Sequence, residues 1–299
     1  MNKLLFSCLL ITAVVGTALG QTILPLYPDK IPNSIPAENI EEELDTKTLK
    51  NVSTPSLLMY VPQKPNGTSI IVCPGGGYAS LVMNKEGYRM AEYLTKLGIT
   101  TFVLKYRLPS DRTMHDKSIG PLQDAQQAVK LVRENAAKWK IDKNKIGMMG
   151  FSAGGHLVAT AGTHFNTPVI KNPENTSLRP DFIVMIYPVI SFNENLTHQG
   201  SVLRLLGETP DPKKVTYFSN ELHVTPQTPP AFLIHASDDI KVNVLNSVVF
   251  YEALQKANVT SEMHLYSKGG HGFGSIPTLA EWMQRCSNWL LQCGFLQDK

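Results

Sequence analysis

The chain has 299 residues, 42% of them hydrophobic and 18% charged, with a formal net charge of +3. Such a composition builds a globular protein with a sizeable core, and roughly 250–300 residues still form one domain on a large α/β sheet. The charge is small for the length and no basic stripe carries interleaved aromatics, so nucleic-acid binding has no support.

Residues 1–20 read as an export signal. Lys3 gives a positive start, residues 4–15 are a short apolar core, and Ala18-Leu-Gly20 is a small-x-small cleavage site ahead of Gln21. About a dozen apolar residues are too few to span a bilayer. Cys8 lies inside that core rather than after it, which argues against a lipidated cysteine. No other segment is long and apolar enough for membrane insertion. The expectation is a protein exported to a periplasm or secreted, cleaved near Gly20.

Residues 21–55 form an N-terminal arm whose Pro-rich part, 24–36, excludes a regular helix or a central strand. An acidic run, Glu41-Glu-Glu-Leu-Asp45, reads as a solvated face. From residue 56 to 299 a single domain is expected, in which strands and helices alternate. Ile70-Ile-Val-Cys73 is an apolar run ending in Pro74-Gly-Gly-Gly-Tyr78. A helix over 86–97, closed by Gly98, leads to a β-branched and aromatic strand over 99–106. Leu122, Ala125, Val129, Val132, Ala136 and Trp139 recur every three or four positions and predict a helix over 121–139, with Pro121 in its first turn. A strand over 145–149 runs into Gly150-Phe-Ser-Ala-Gly-Gly155 and then a helix of small residues. Strands over 182–187, 232–235 and 262–266 and helices over 243–257 and 278–293 complete the pattern. Cys286 and Cys293 sit seven residues apart on the last helix, roughly 10.5 Å by the helical rise, too far for a disulfide. With Cys73 they make an odd number beyond the signal, so buried thiols are expected rather than a disulfide framework.

Apolar strands alternating with amphipathic helices predict an α/β fold with a mostly parallel central sheet covered on both faces. In such sheets reacting groups gather at the carboxyl ends of the strands. Three motifs fall there: Pro74–Tyr78, Gly150–Gly155 and Ser237–Asp239. The middle one, Gly-x-Ser-x-Gly between strand and helix, is a nucleophile elbow that exposes Ser152 and aims a helix N-terminus at the reacting centre.

A serine needs a base, and the base an orienting acid. Of the eight histidines, His271 lies in the glycine-rich run Lys268-Gly-Gly-His-Gly-Phe-Gly274, where an imidazole can swing towards neighbouring strand ends. His156 is one helical turn past the serine and points away from its open side. His235 and His264 lie within strands and read as structural, His198 as a rim residue, and His115, His164 and His223 have no supporting context. For the acid, Asp239 is the choice and Asp238 the reserve, both just beyond a buried strand. An oxyanion hole requires backbone donors: Ala153 N–H, directly after the nucleophile, and one from Gly75-Gly-Gly77, either Gly76 or Gly77. Tyr78, Tyr187 and His198 are candidate lining residues. The order Ser152, Asp239, His271 is that of the α/β-hydrolase fold.

With these residues in hand, the chain from about residue 56 resembles the α/β-hydrolase esterases, in particular bacterial exported carbohydrate esterases of the acetylxylan-esterase type. Pro74-Gly-Gly-Gly-Tyr78, Gly150–Gly155, Tyr187-Pro-Val-Ile190, Thr197-His-Gln-Gly-Ser201, His235-Ala-Ser-Asp-Asp239 and Gly269-Gly-His-Gly-Phe273 carry the resemblance. Pro74 departs from the His-Gly-Gly-Gly of many lipase and carboxylesterase relatives, which sets the chain apart from the hormone-sensitive-lipase branch. The resemblance implies removal of acetyl, or less often feruloyl, groups from plant cell-wall polysaccharides or oligosaccharides by a serine esterase. No metal or organic cofactor is called for, since no ligand spacing such as His-Glu-x-x-His occurs. The rivals are an exported serine peptidase of the prolyl-oligopeptidase type, with the same triad order, a feruloyl or general carboxylesterase, and a non-catalytic binding scaffold. Oligomeric state is not readable.

Overall fold

The computed structural model describes residues 21–44 and 46–297. The expected export signal, with Lys3 and Cys8, lies outside the described residues. In chain order the strands are β1 (Gln21–Pro25), β2 (Glu42–Leu44), β3 (Thr48–Lys50), β4 (Ser56–Tyr60), β5 (Ser69–Cys73), β6 (Ser80–Val82), β7 (Thr100–Lys105), β8 (Ile146–Phe151), β9 (Phe182–Ile186), β10 (Ala231–Ala236) and β11 (Ser261–Tyr266). The helices are α1 (Arg89–Lys96), α2 (Gly120–Glu134), α3 (Ala153–Thr163), α4 (Gln199–Leu206), α5 (Pro212–Phe218), α6 (Leu245–Lys256) and α7 (Leu279–Gln292).

The main sheet has eight strands in the order β1-β4-β7-β5-β8-β9-β10-β11. From β7 to β11 neighbouring strands are parallel, while β4 is antiparallel to β7 and to β1. Central strands β5, β8, β9 and β10 are buried at every position, and apart from Ser69 and His235 their side chains are apolar on both faces rather than alternating. Ile71 and Cys73 join a core with Ala125 and Val129 of α2 and Leu157 of α3. Ile70 and Val72, pointing the other way, join one with Leu94 of α1 and Met283 and Leu290 of α7. Helices therefore cover both faces, and the loops leaving the parallel strands open at one edge. This is the α/β-hydrolase arrangement expected from the sequence.

Several elements differ from the sequence expectation. The arm is stitched into both sheets: β1 pairs with β4 at the outer edge, where Pro25 needs no ladder partner on its open side, and β2 and β3 build a three-stranded sheet with β6. Glu41 and Glu43 of the acidic run pair with Lys105 and Lys47 at 2.8 and 2.5 Å. The arm is further anchored by Tyr27, whose hydroxyl donates to Asp124 at 2.9 Å, and by Pro32, whose carbonyl accepts from Arg107 at 2.8 Å. Arg107 and Asp124 are themselves a buried ion pair at 2.7 Å, their side chains 1% and 0% exposed. The helix expected over 86–97 opens with a π-helical turn at Met83–Tyr88 before α1 begins. The helix expected over 121–139 stops at Glu134, where the Asn135 amide turns back onto the Leu131 carbonyl at 2.9 Å. Helices α4 and α5, in the long excursion between β9 and β10, had no predicted counterpart. Cys73, Cys286 and Cys293 are free thiols.

Candidate active site

Ser152 stands between β8 and α3 with φ +52° and ψ −119°. A non-glycine residue there stores on the order of 1–3 kcal/mol of backbone strain and persists only when its surroundings hold it. They do: Ser152 N–H donates to Ile186 O at 3.0 Å, and Ser152 O accepts from the N–H groups of His156 and Val189, each at 3.1 Å. The flanking glycines are required both by their approach to each other and by the packing of α3 on β5. A Cβ on Gly150 would lie 2.2 Å from Gly154 O, and one on Gly154 would lie 2.1 Å from Cys73 O. The second contact packs α3 directly against the end of β5, where the glycine-rich loop begins.

The structure brings Ser152, His271 and Asp239 into one hydrogen-bonded chain. Ser152 Oγ lies 2.9 Å from His271 Nε2, and His271 Nδ1 lies 2.7 Å from Asp239 Oδ2. The carboxylate can only accept, so His271 carries its proton on Nδ1 and offers Nε2 to the serine hydroxyl. Asp238, the reserve acid, is exposed, and its Oδ1 accepts the N–H of Gly270 at 2.8 Å. It steadies the histidine loop without reaching the ring.

Asp239 is held by four donor groups: His271, the N–H groups of Lys241 (2.9 Å) and Val242 (3.0 Å) on Oδ1, and His235 Nε2 at 3.2 Å. Burial works against its charge, but the hydrogen bonds from the two histidines and Val242 outweigh it and hold the carboxyl well below the usual carboxylate range. His235 was read from the sequence only as a structural strand residue; it is fully buried beside the acid. Its Nε2 faces two acceptors, Asp239 Oδ2 and Val242 O (3.1 Å), and Nδ1 faces the Ser247 hydroxyl at 2.8 Å. Nε2 therefore carries a hydrogen and donates it towards these acceptors.

In the glycine-rich loop, Gly76 and Gly77 have φ +133° and +63°, and a Cβ on Gly76 would lie 2.1 Å from Ser80 O. Among the described residues the N–H groups of Gly76, Gly77 and Ala153 have no hydrogen-bond partner. Gly75 N–H instead turns back to Glu86 Oε2 at 2.8 Å, while Glu86 Oε1 accepts the Tyr187 hydroxyl at 2.9 Å. Burial pushes the Glu86 carboxyl above its ordinary value, countered by those two donors. Glu86 carries no sequence signal beyond an acid at the start of an expected helix. Tyr106, which donates to Pro74 O at 2.7 Å, ties down the loop's first residue.

The candidate lining residues separate. Tyr78 does not line the site: it is 2% exposed, and its hydroxyl donates to His156 Nδ1 at 2.8 Å, because its positive φ turns the ring into the core. His156 completes this contact with Nε2 donating to Phe218 O at 2.9 Å and the ring stacked on Phe192, which fixes α5 to α3. Burial lowers its pKa to about 4. Tyr187 is buried with its ring centroid 4.9 Å from that of His271. It borders a cavity of about 310 Å³, shared with Glu86, Phe151, Phe273 and Trp282, that neither Ser152 nor His271 lines. His198 stands across from Gly77 and caps α4, with Nδ1 2.9 Å from Ser201 Oγ and 3.2 Å from Ser201 N. Among the described residues no cluster of three or more His, Cys, Asp or Glu is placed to hold a metal ion, and no helix is long and apolar enough to cross a membrane.

Residues 57–254 match the BD-FAE family. The chain is 36% identical over 257 residues to an acetylxylan esterase of Xylanibacter ruminicola, covering 82% of this chain and 50% of that protein. It is 37% identical over 209 residues to endo-1,4-beta-xylanase B of Butyrivibrio fibrisolvens, covering 68% of this chain and 32% of that protein. The chain thus spans half the length of the first relative and about a third of the second. Among solved structures, an acetyl ester-xyloside bifunctional hydrolase from Caldicellulosiruptor lactoaceticus superposes with a TM-score of 0.80 at 39% identity, covering 92% of this chain and 97% of that one.

Proposed function

The chain belongs to the BD-FAE family, and from that membership we propose that it is a serine esterase that removes acetyl groups from plant cell-wall polysaccharides or oligosaccharides. The observation that carries the reading is the chain of contacts from the Ser152 hydroxyl through His271 to Asp239, 2.9 and 2.7 Å long. Ser152 Oγ attacks the ester carbonyl while His271 Nε2 takes its proton, and Asp239 holds the imidazole tautomer and favours the imidazolium. The tetrahedral oxyanion is received by Ala153 N–H and by that of Gly76 or Gly77. Each such donor is worth on the order of 10²–10³ in rate. His271 then gives that proton to the departing sugar oxygen, which leaves as the free hydroxyl, and water, activated by the same imidazole, releases the acid from the acyl-enzyme. Acetyl as the acyl group and xylan as the polymer rest on the relatives named for those activities.

The export signal belongs to the same reading. Lys3, the apolar stretch 4–15 and Ala18-Leu-Gly20 would send the enzyme out of the cytoplasm, to a periplasm or the exterior.

The test is release of acetate, measured beside ferulate and beside a peptide amide, from acylated xylo-oligosaccharides and matched controls. Acetate release is expected to dominate, and Ser152→Ala is expected to lose at least about 10⁴-fold while remaining folded. A folded wild-type protein that neither hydrolyses esters nor reacts with a fluorophosphonate sinks the proposal. Faster cleavage of the amide would favour a peptidase instead.

A further inference from the structure

Glu86 lies outside every motif that carries the chemistry, yet its carboxylate is buried directly behind the glycine-rich loop. It spans two walls of the site. On one side it holds Gly75 N–H at 2.8 Å; on the other it holds the Tyr187 hydroxyl at 2.9 Å. Gly75 sits tightly between it and the nucleophile, since a Cβ there would meet Phe151 O at 2.7 Å, Glu86 Oε2 at 2.9 Å and Ser152 Cβ at 3.0 Å. Tyr187 is a non-glycine residue at φ +38° whose ring packs beside that of His271. Burying a carboxylate is costly, and an apolar side chain of similar size would serve packing alone at least as well. What an apolar side chain cannot do is accept two hydrogen bonds that converge from opposite sides of a reacting centre.

We propose that Glu86 is a positioning residue for ester hydrolysis. By drawing Gly75 N–H backwards it sets the following peptide planes, so that Gly76 and Gly77 present their N–H groups to the oxyanion. By fixing the Tyr187 hydroxyl it sets the ring against which His271 rests. The side chain works through its reach and its two hydrogen-bonding atoms rather than through its charge. The inference rests on the esterase reading above.

Three variants test it with p-nitrophenyl acetate as substrate. Glu86→Ala is expected to lower kcat by about 10²-fold with KM within about threefold, since oxyanion donors act in the transition state. Glu86→Gln keeps the length, accepts from Gly75 through its carbonyl and donates to the Tyr187 oxygen through its amide, and is expected within about tenfold of wild type. Glu86→Asp keeps the charge but is one methylene too short to span both partners, and is expected to fall with Ala. Should Glu86→Ala fail to fold, the Gln and Asp pair carries the test. Full kcat in Ala or in Asp overturns the proposal, and so does an active Asp beside an inactive Gln, which would make charge the cause. A wild-type protein without activity or fluorophosphonate labelling would refute the esterase reading itself, a result distinct from any of these.

Discussion

Asp124, under the N-terminal arm, and Asp239, on the loop after β10, are both buried carboxylates held by four donor groups. Asp124 accepts from the Tyr27 hydroxyl and from N, Nε and Nη2 of Arg107. Asp239 accepts from two histidines and two backbone N–H groups. Number of bonds therefore does not separate a structural acid from the candidate orienting one. What separates them is where the donors lead. Arg107, which supplies three of the donors to Asp124, ends in packed protein: its side chain is 1% exposed and its other N–H groups meet the carbonyls of Pro32 and Gly120 and the Gln123 amide oxygen. One donor to Asp239 is His271, 16% exposed, whose other nitrogen faces a serine hydroxyl. The first network locks the arm to the sheet; in the proposed mechanism the second orients the imidazole that takes the Ser152 proton.

The largest effect expected from breaking the comparison is at Asp239. Asp239→Asn should lower kcat/KM about 10⁴-fold by favouring the wrong imidazole tautomer, while Asp238→Asn stays within about tenfold. Steady-state kinetics on the two variants decides between the neighbours. Asp124→Asn should do the reverse. It strands the buried Arg107 charge and should cost about 3–5 kcal/mol in urea unfolding, with kcat per folded molecule unchanged. A stable Asp124→Asn, or one that folds but has lost its turnover, would erase the distinction.

Next in size is a pH effect centred on His156, which is buried neutral with its pKa lowered from 6.5 to about 4. The unfolded chain binds a proton between those values and the folded one does not, so stability is full above about pH 6.5 and falls as pH drops towards 4. The loss from this residue is about 3 kcal/mol at its completion. Unfolding free energies measured across that window should show the slope, reduced in His156→Asn. The smallest effect is at His235. Replacing it by Leu removes one of the four donors to Asp239 and should lower kcat about tenfold, near 1.4 kcal/mol, with KM unmoved.

Much of this was legible in the sequence, and the reason is local. The parallel strands announce themselves as apolar runs, and each of the three motifs at their ends is written in consecutive residues: Pro74–Tyr78, Gly150–Gly155 and Ser237–Asp239. His271 stood out because glycines surround it. What was not legible depends on partners far along the chain. Glu86 reads as an ordinary helix-start acid, because Gly75 and Tyr187 lie 11 and 101 residues away. His235 reads as a strand residue because only the fold of the next turn brings Asp239 back beneath it. Strands of three residues, such as β2 and β3, are too short to show a period. Tyr78 was misplaced because a positive φ reverses the direction expected of its side chain.

The excursion carrying α4 and α5 leaves the sheet after β9 and re-enters at β10, and these two strands are immediate neighbours. Because the two strands are parallel, the excursion starts at the carboxyl edge of the sheet and must return to the amino edge, so its path crosses one face. It is also tied to the centre it passes, through Val189 N–H on Ser152 O, the Tyr187 ring beside His271 and Phe218 O on His156, so any exchange of its length or chemistry for that of a relative has to carry these three contacts with it.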